Sequence, residues 1–386
     1  MLAGHFPVVS LPLLLAALAA LAYTAFALVR IRVFAGRRER PVAGPPVTVL
    51  KPLRGAEPGL YENLRSFCEQ DYPVFQVVFG VRDASDPAIP VVERVMRDLP
   101  ERDLALVVSD RVIGANLKIS NLANMYGSAK HDRLVIADSD MRVGRDYLAT
   151  VLVPLADPAV GVVTCLYRGR AAGGPWSVLG AMFINEWFLP SALVARALAP
   201  GRFCFGATMA VRREALEAIG GFAALAPYLA DDYVLGALMN ARGLRVALSS
   251  YLVDDVVWEP DLAALFRHEL RWARTMRTAQ PLGYAMSFLT YSLVLSVVYL
   301  LVSSLHALAG VVVGAALISR VAVHYAVRAS LGVTEPARPW LVPVGEALCF
   351  GVWAASFWGR TVQWGGRKFS VSSDGRMWAN GGHHSC

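Results

Sequence analysis

The sequence predicts an α/β domain built on a parallel sheet and held between apolar segments long enough to cross a bilayer. Three observations predict it. Between residues 47 and 137, short β-branched runs alternate with helix-length amphipathic stretches. Parallel strands need a helical crossover, so this alternation indicates βαβ units. The 386 residues are 55% hydrophobic, above the roughly 45 to 50% of an ordinary soluble domain. Long charge-free stretches lie near both ends.

The first of these, Val8 to Val29, holds 22 residues without a charge, about 33 Å of helix and enough to span a hydrocarbon core. The preceding MLAGHFP lacks the basic head of a secretory signal, and Arg30, Arg32, Arg37, Arg38 and Arg40 follow the apolar run. The reading is therefore an uncleaved anchor over residues 1–30 and a basic linker over 31–46. By the positive-inside rule, the arginines keep the next segment in the cytoplasm, facing cytosolic nucleotides.

The strands are VTVLKPL from Val47, FQVVFGV from Phe75, LALVVS from Leu104 and RLVIA from Arg133. The amphipathic stretches Leu60 to Glu69, Ile89 to Leu99 and Leu117 to Tyr126 separate them. Ligands on such sheets bind beyond the carboxyl ends of strands. Two strands end on acids, Asp83 and Asp138, and an extended chain would turn Asp140 to the same side as Asp138. Converging carboxylates repel unless a cation lies among them, and Mg²⁺ or Mn²⁺ with a diphosphate is the usual occupant. Acids after a strand also make turns or cap the next helix, and Asp83 and Asp86 in RDASDP suit that role.

Downstream, FCFGATMAVRREALEAIGGF reads as a strand or tight loop and then a helix ending at Gly220 and Gly221. Asp231 and Asp232 begin the next helix, either as acids beside its dipole or as the fixed carboxylate that a general base requires. HELRWARTMR places Arg267, Arg271 and Arg274 near one face of an amphipathic helix, suited to a bilayer surface or to a diphosphate. The segment Trp176 to Leu198 is aromatic yet carries Glu186 and Pro190, which suits the membrane interface and a lipid entrance, or else a core helix.

Thr278 to Ser319 contains no Asp, Glu, Lys or Arg and has room for two crossings with a turn near Ser303 to His306. A third candidate, Trp340 to Trp358, holds Pro343 and Glu346 and is expected to be re-entrant or packed against its neighbours. Residues 278–359 thus form a C-terminal transmembrane region and 360–386 a basic tail with Arg360, Arg367, Lys368 and Arg376. The net charge of +7 gathers at the membrane edges, and no nucleic-acid motif is present, so anionic headgroups are the partner it suggests. Cys68, Cys165, Cys204, Cys349 and Cys386 are scattered without CxxC and suggest neither zinc nor a disulfide framework.

Asp83, Asp138-x-Asp140, Asp231-Asp232 and HELRW, in that order between membrane anchors, resemble the ceramide glucosyltransferase-like membrane glycosyltransferases of the GT-A fold, families 2 and 21. The likeness runs from about Val47 to Arg277 and includes LKISNLANM before the acid pair. TCLYRG, FCFGATMAVRRE, LADDYVLG and HELRWART look closer still to the bacterial hopanoid-biosynthesis-associated glycosyltransferases. The resemblance implies a UDP-sugar donor, a membrane lipid acceptor, Mg²⁺ or Mn²⁺, and a bacterial inner-membrane location with the catalytic domain cytoplasmic. It implies inverting transfer of N-acetylglucosamine to a hopanoid polyol, or of glucose to ceramide as the alternative.

By the same resemblance, Asp83 contacts the uridine end of the donor, Asp138 its ribose or diphosphate, and Asp140 the metal together with Asp138. Asp232 is the catalytic base, with Asp231 beside it. Arg271 and Trp272 lie under the diphosphate and acceptor, with Lys118 an added diphosphate contact and Arg267 nearby. His268 stands where the family has Gln or Arg. A processive polysaccharide synthase would need more spans, and a non-catalytic scaffold would not need four acids.

Overall fold

The computed structural model describes residues 10–304, 306–359, 361–364, 367–372 and 374–379. Its centre is an eight-stranded sheet in the order β3-β2-β1-β4-β7-β6-β8-β5. The strands are β1 (Val47–Pro52), β2 (Phe75–Val81), β3 (Asp103–Val108), β4 (Arg133–Ala137), β5 (Met141–Arg142), β6 (Val160–Ala171), β7 (Thr208–Arg212) and β8 (Arg245–Val257). The first four neighbours run parallel, as the βαβ pattern requires. β7 enters antiparallel between β4 and β6, so the whole sheet is mixed.

Alternate residues of one strand feed opposite cores. Val77 and Phe79 pack with Leu64, Phe67 and Val92, whereas Val78 packs with Ile119, Leu122 and Met125. Apolar residues on both faces of a strand make its sequence a continuous apolar run. The Leu117–Tyr126 helix lies so close to β2 that a Cβ at Gly80 would meet Met125 Sδ at 2.3 Å, so only glycine fits there.

Among the described residues, three helices are long and apolar enough to cross a membrane: Ser10–Ala35, Pro175–Leu198 and Ala307–Leu331. A bent pair, Pro281–Thr290 and Ser292–Val302, makes up to four if it counts as one span. The first and third long helices expose Leu11, Leu15, Leu18, Val311 and Ile318. Pro175–Leu198 does not, for 78% of its most apolar window is buried inside the protein. Of the two placements the sequence leaves open, this segment has the packed surroundings of a core helix, with other apolar helices of the same chain as neighbours.

Several boundaries move. The first helix continues through the expected linker to Ala35, and Glu39 beyond it accepts hydrogen bonds from Ser249 and Ser250. The second C-terminal helix runs past Ser319 to Leu331 and carries Arg320 and His324 inward. Val342–Ser356 has 15 residues, about 22 Å, too short to span alone, and its Glu346 is fully buried. The expected tail contains β9 (Thr361–Trp364), β10 (Arg367–Val371) and β11 (Met377–Ala379), an antiparallel sheet whose Val362, Phe369 and Met377 pack on Leu229. The residues before Ser10, Arg360 and Cys386 lie outside the described residues. Cys68, Cys165, Cys204 and Cys349 are free and buried.

Candidate active site

A cavity of about 1160 Å³ opens beyond the carboxyl ends of β1, β2 and β4 and continues among the apolar helices. Its lining includes eight Asp and Glu against four Lys and Arg, and that excess of negative charge favours a bound cation or protonated acids. Asp83, Lys118, Asp138, Asp140, Asp231, Asp232, His268, Arg271 and Trp272 all line it. Arg267 does not. It is exposed one turn before Arg271, while Arg274 one turn after donates to the carbonyls of Trp358 and Thr361. The cavity face of this helix runs from His268 to Gln280, with Arg271 at its edge and Arg267 and Arg274 turned beyond it.

Asp138 ends β4, yet Asp140 is not a continuation of the strand. Residues 139 and 140 form a turn in which Met141 N–H reaches the Asp138 carbonyl at 3.3 Å. Beneath it lies Lys51, fully buried on β1, whose Nζ donates to that same carbonyl and sits 3.8 Å over the Phe67 ring. Burial lowers the Lys51 pKa to about 7 although Asp140 and Asp138 favour its charge. Asp140 moves the other way. Enclosure first, then the Asp138 charge, raises its carboxyl to about 6, and its Oδ1 is buried with no hydrogen-bond partner among the described residues.

Asn116 joins two pieces of the site. Its Oδ1 accepts Ile119 N–H as the cap of the Leu117–Tyr126 helix, which sets Lys118 in the first turn. Its Nδ2 donates to the Tyr228 carbonyl and to Asp231 Oδ1, which fixes the start of the Asp231–Ala241 helix. Lys118 Nζ lies 2.6 Å from Asp138 and 3.9 Å from Asp231. Burial opposes its charge, but these acids outweigh burial and its pKa ends raised. Asp232 accepts the Tyr233 N–H, and enclosure followed by the Asp231 charge raises its carboxyl to about 6.

Gly206 marks where these groups converge. A Cβ built there would lie 3.4 Å from Asp232 Oδ2, 3.7 Å from Lys118 Nζ and 3.8 Å from Asp138 Oδ2. Asp83 sits exposed at the rim, its carboxylate tied to the N–H and hydroxyl of Ser85 and its pKa lowered by those bonds. Asp86 accepts the Ala88 N–H, as a cap should. His268 Nδ1 lies 2.7 Å from Glu259, and its ring meets Trp272 edge-on.

Three residues of this region were given no role by the sequence: Lys51, Asp255 and Glu269, the last inside HELRW itself. Lys51 has a local signal, a lysine inside the apolar run VTVLKPL, which a strand buried on both faces has to satisfy internally. Asp255 on β8 lines the cavity by tertiary placement alone, Glu269 lines it from within HELRW, and burial raises both carboxyls, Glu269 to about 8. Among the described residues no three His, Cys, Asp or Glu side chains are placed to hold a metal by themselves. The unpartnered Asp140 oxygen beside Asp138 nevertheless fits an ion that brings phosphate oxygens with it, since Mg²⁺-type ions are held by one or two carboxylates plus substrate phosphates.

With acids, lysine and glycine meeting beyond the strand ends, the comparisons become decisive. Residues 12–377 match glycosyl transferase family 21. The chain belongs to that family. Among curated relatives, ceramide glucosyltransferase 3 of Caenorhabditis elegans is 28% identical over 216 residues, 54% of this chain and 45% of that protein. The ceramide glucosyltransferase of Komagataella phaffii is 36% identical over 118 residues, 28% of this chain and 23% of that protein. The chain spans about half the length, or less, of such curated relatives. The mannosyltransferase PcManGT from Pyrobaculum calidifontis, solved in complex with GDP-Man and Mn²⁺, superposes with a TM-score of 0.54 at 21% identity, covering 90% of this chain and 99% of that one. This family 21 chain therefore has the GT-A fold.

Proposed function

We propose that this chain is an inverting glycosyltransferase that moves a sugar from a UDP-sugar to the hydroxyl of a membrane lipid. The observation that carries the reading is the convergence at Gly206, where a base candidate, a cation and a donor-side acid lie within 3.8 Å of one point. The cavity is polar at that end and apolar at the other, where Phe183, Trp187, Tyr284, Tyr291 and Trp353 line it. A lipid alcohol entering among the apolar helices would present its hydroxyl to Asp232.

In this reading Asp232 takes the hydroxyl proton, for which a carboxyl raised to about 6 is suited near neutral pH. Lys118 and Arg271 offset the charge of the departing diphosphate. Asp138 and Asp140 would hold a divalent ion, which would polarise the diphosphate when bound. Lys51 keeps the Asp138–Asp140 turn in place, and Asp83 meets the uridine end at the rim. Asp231 orients the start of the helix through Asn116. Direct displacement needs no covalent nucleophile on the protein.

The ceramide glucosyltransferases among the relatives reverse the order of the two acceptors suggested by the sequence wording, so transfer of glucose to ceramide leads and N-acetylglucosamine to a hopanoid polyol follows. We place the apolar helices in a membrane with the α/β domain on the cytosolic side, in keeping with the arginines after the first span. Incubating the purified protein with UDP-glucose or UDP-N-acetylglucosamine against ceramide and a hopanoid polyol, with mass spectrometry of the lipids, tests this. A glycosylated lipid is expected in one arm. Mn²⁺-dependent UDP binding without any lipid product would point to a scaffold and end the transferase reading.

A further inference from the structure

Four ionisable side chains that touch neither end of the cavity meet among the apolar helices. Glu186, Arg320, His324 and Glu346 are at most 4% exposed. Burying such groups costs free energy, and apolar residues of similar volume would hold the helices together as well, so their presence points to a task.

The backbone shows how they come together. Residues Ile184–Phe188 form a π-helical turn, a feature common at functional sites, and Pro190 follows. Pro190 has no N–H to give the carbonyl of Glu186 four residues earlier. Arg320 Nη2 donates to that carbonyl at 3.2 Å. The same guanidinium holds Glu346 as a 3.0 Å ion pair through Nε and lies 4.3 Å over the Trp187 ring. Glu346 Oε1 accepts the N–H groups of Leu293 and Val294 at 2.6 and 3.0 Å, which ties down the helix that follows the 68° bend. His324 Nε2 accepts the Arg338 N–H at 3.1 Å, leaving its proton on Nδ1, where Glu186 Oε1 accepts it at 2.5 Å.

Trp187 is the member of this assembly that reaches the cavity. Arg320 covers its face, and a Cβ at Gly345 would lie 3.1 Å from its ring edge, so the indole is confined from two directions. We propose that Glu186, Arg320, His324 and Glu346 are positioning residues for the lipid acceptor, a polar buckle that fixes Trp187 and with it the bore of the apolar end. This rests on the reading that the apolar end admits lipid. Unlike apolar packing, directed bonds allow one register of the helices, and so one width of the channel.

The test uses the full chain in lipid nanodiscs, with Mn²⁺-dependent UDP affinity and the KM for the lipid acceptor as separate readouts. Arg320→Gln and Glu346→Gln are expected to raise the acceptor KM about tenfold, as small misplacements of a substrate-binding wall do, while UDP affinity stays at the wild-type value. Trp187→Phe raises it too, and adding Arg320→Gln to Trp187→Phe raises it no further. A fall in kcat with unchanged acceptor KM, or full additivity with Trp187→Phe, overturns the buckle. Should loss of charge prevent folding, Gly345→Ala pushes on Trp187 with the charges intact and must raise the acceptor KM; an unchanged value overturns the proposal. A wild-type protein that binds UDP yet forms no lipid product overturns the transferase reading and the buckle with it, whereas an active enzyme indifferent to these substitutions overturns the buckle alone.

Discussion

The donor end of the cavity and the apolar helices beside its other end both bury charge, but they compensate it differently. Around Asp138, Asp140, Asp231 and Asp232 acids outnumber cations and the carboxyls of Asp140 and Asp232 are raised. Among the helices, Arg320 pairs with Glu346, and the Nδ1–H of His324 is held by Glu186. Charge left uncompensated by the protein is completed by a ligand. Polar groups bonded to one another across the helices make a frame.

The largest effect that would sharpen this contrast is at the base. Asp232→Asn should lower kcat about 1000-fold, within the usual range for a general base, with UDP affinity unchanged in calorimetry. Equal loss of both would make Asp232 a donor ligand instead. Stability gives the next test, because the two ends should respond with opposite signs. Glu346→Gln leaves Arg320 without its partner and should destabilise the protein by about 3 kcal/mol in thermal scans. Asp140→Asn removes a repelled carboxylate and should stabilise the metal-free protein by about 1 kcal/mol, after allowance for its partial exposure to the cavity. The same sign at both ends would break the comparison.

Lys51→Met removes the support under the Asp138–Asp140 turn and should weaken Mn²⁺-dependent UDP binding about tenfold, the lower range for loss of a residue that orients ligands. The pH profile gives the gentlest test. Asp232 acts as a carboxylate, so transfer should fall about tenfold per pH unit below about 6. Its raised folded pKa has a linked consequence: the folded state holds this proton more tightly than the unfolded one, so this group adds stability as the pH falls from 6 towards 4. A rate that is flat down to pH 5 would remove Asp232 from the role of base.

Much of the site was legible because its signals are local. Strands buried on both faces announce themselves as β-branched runs, and the acids at their ends sit where parallel sheets bind ligands. Asp83, Lys118, Asp138, Asp140, Asp232, His268, Arg271 and Trp272 all reach one cavity. Arg267 shares their helix but is turned off the cavity face, which is centred on His268, Trp272 and Thr275. The turn at Asp140 stands in place of the extended continuation considered from the sequence, and the lysine that holds the Asp138 carbonyl comes from β1, three strands earlier in the chain. Antiparallel β7 and the small sheet of the expected tail depend on pairing with distant partners, which no local pattern records.

By itself the sequence determined the first four strands with their helices, the acid pair, the doublet and the apolar helices, because periodicity, capping and hydropathy act over a few residues. Tertiary structure alone decided that Asp232 faces Asp138 across Gly206, that Asp255 and Glu269 join them, and that Arg320 reaches back 134 residues to Glu186. Those contacts exist only where packing brings remote segments within hydrogen-bonding reach, and no spacing along the chain can encode that distance.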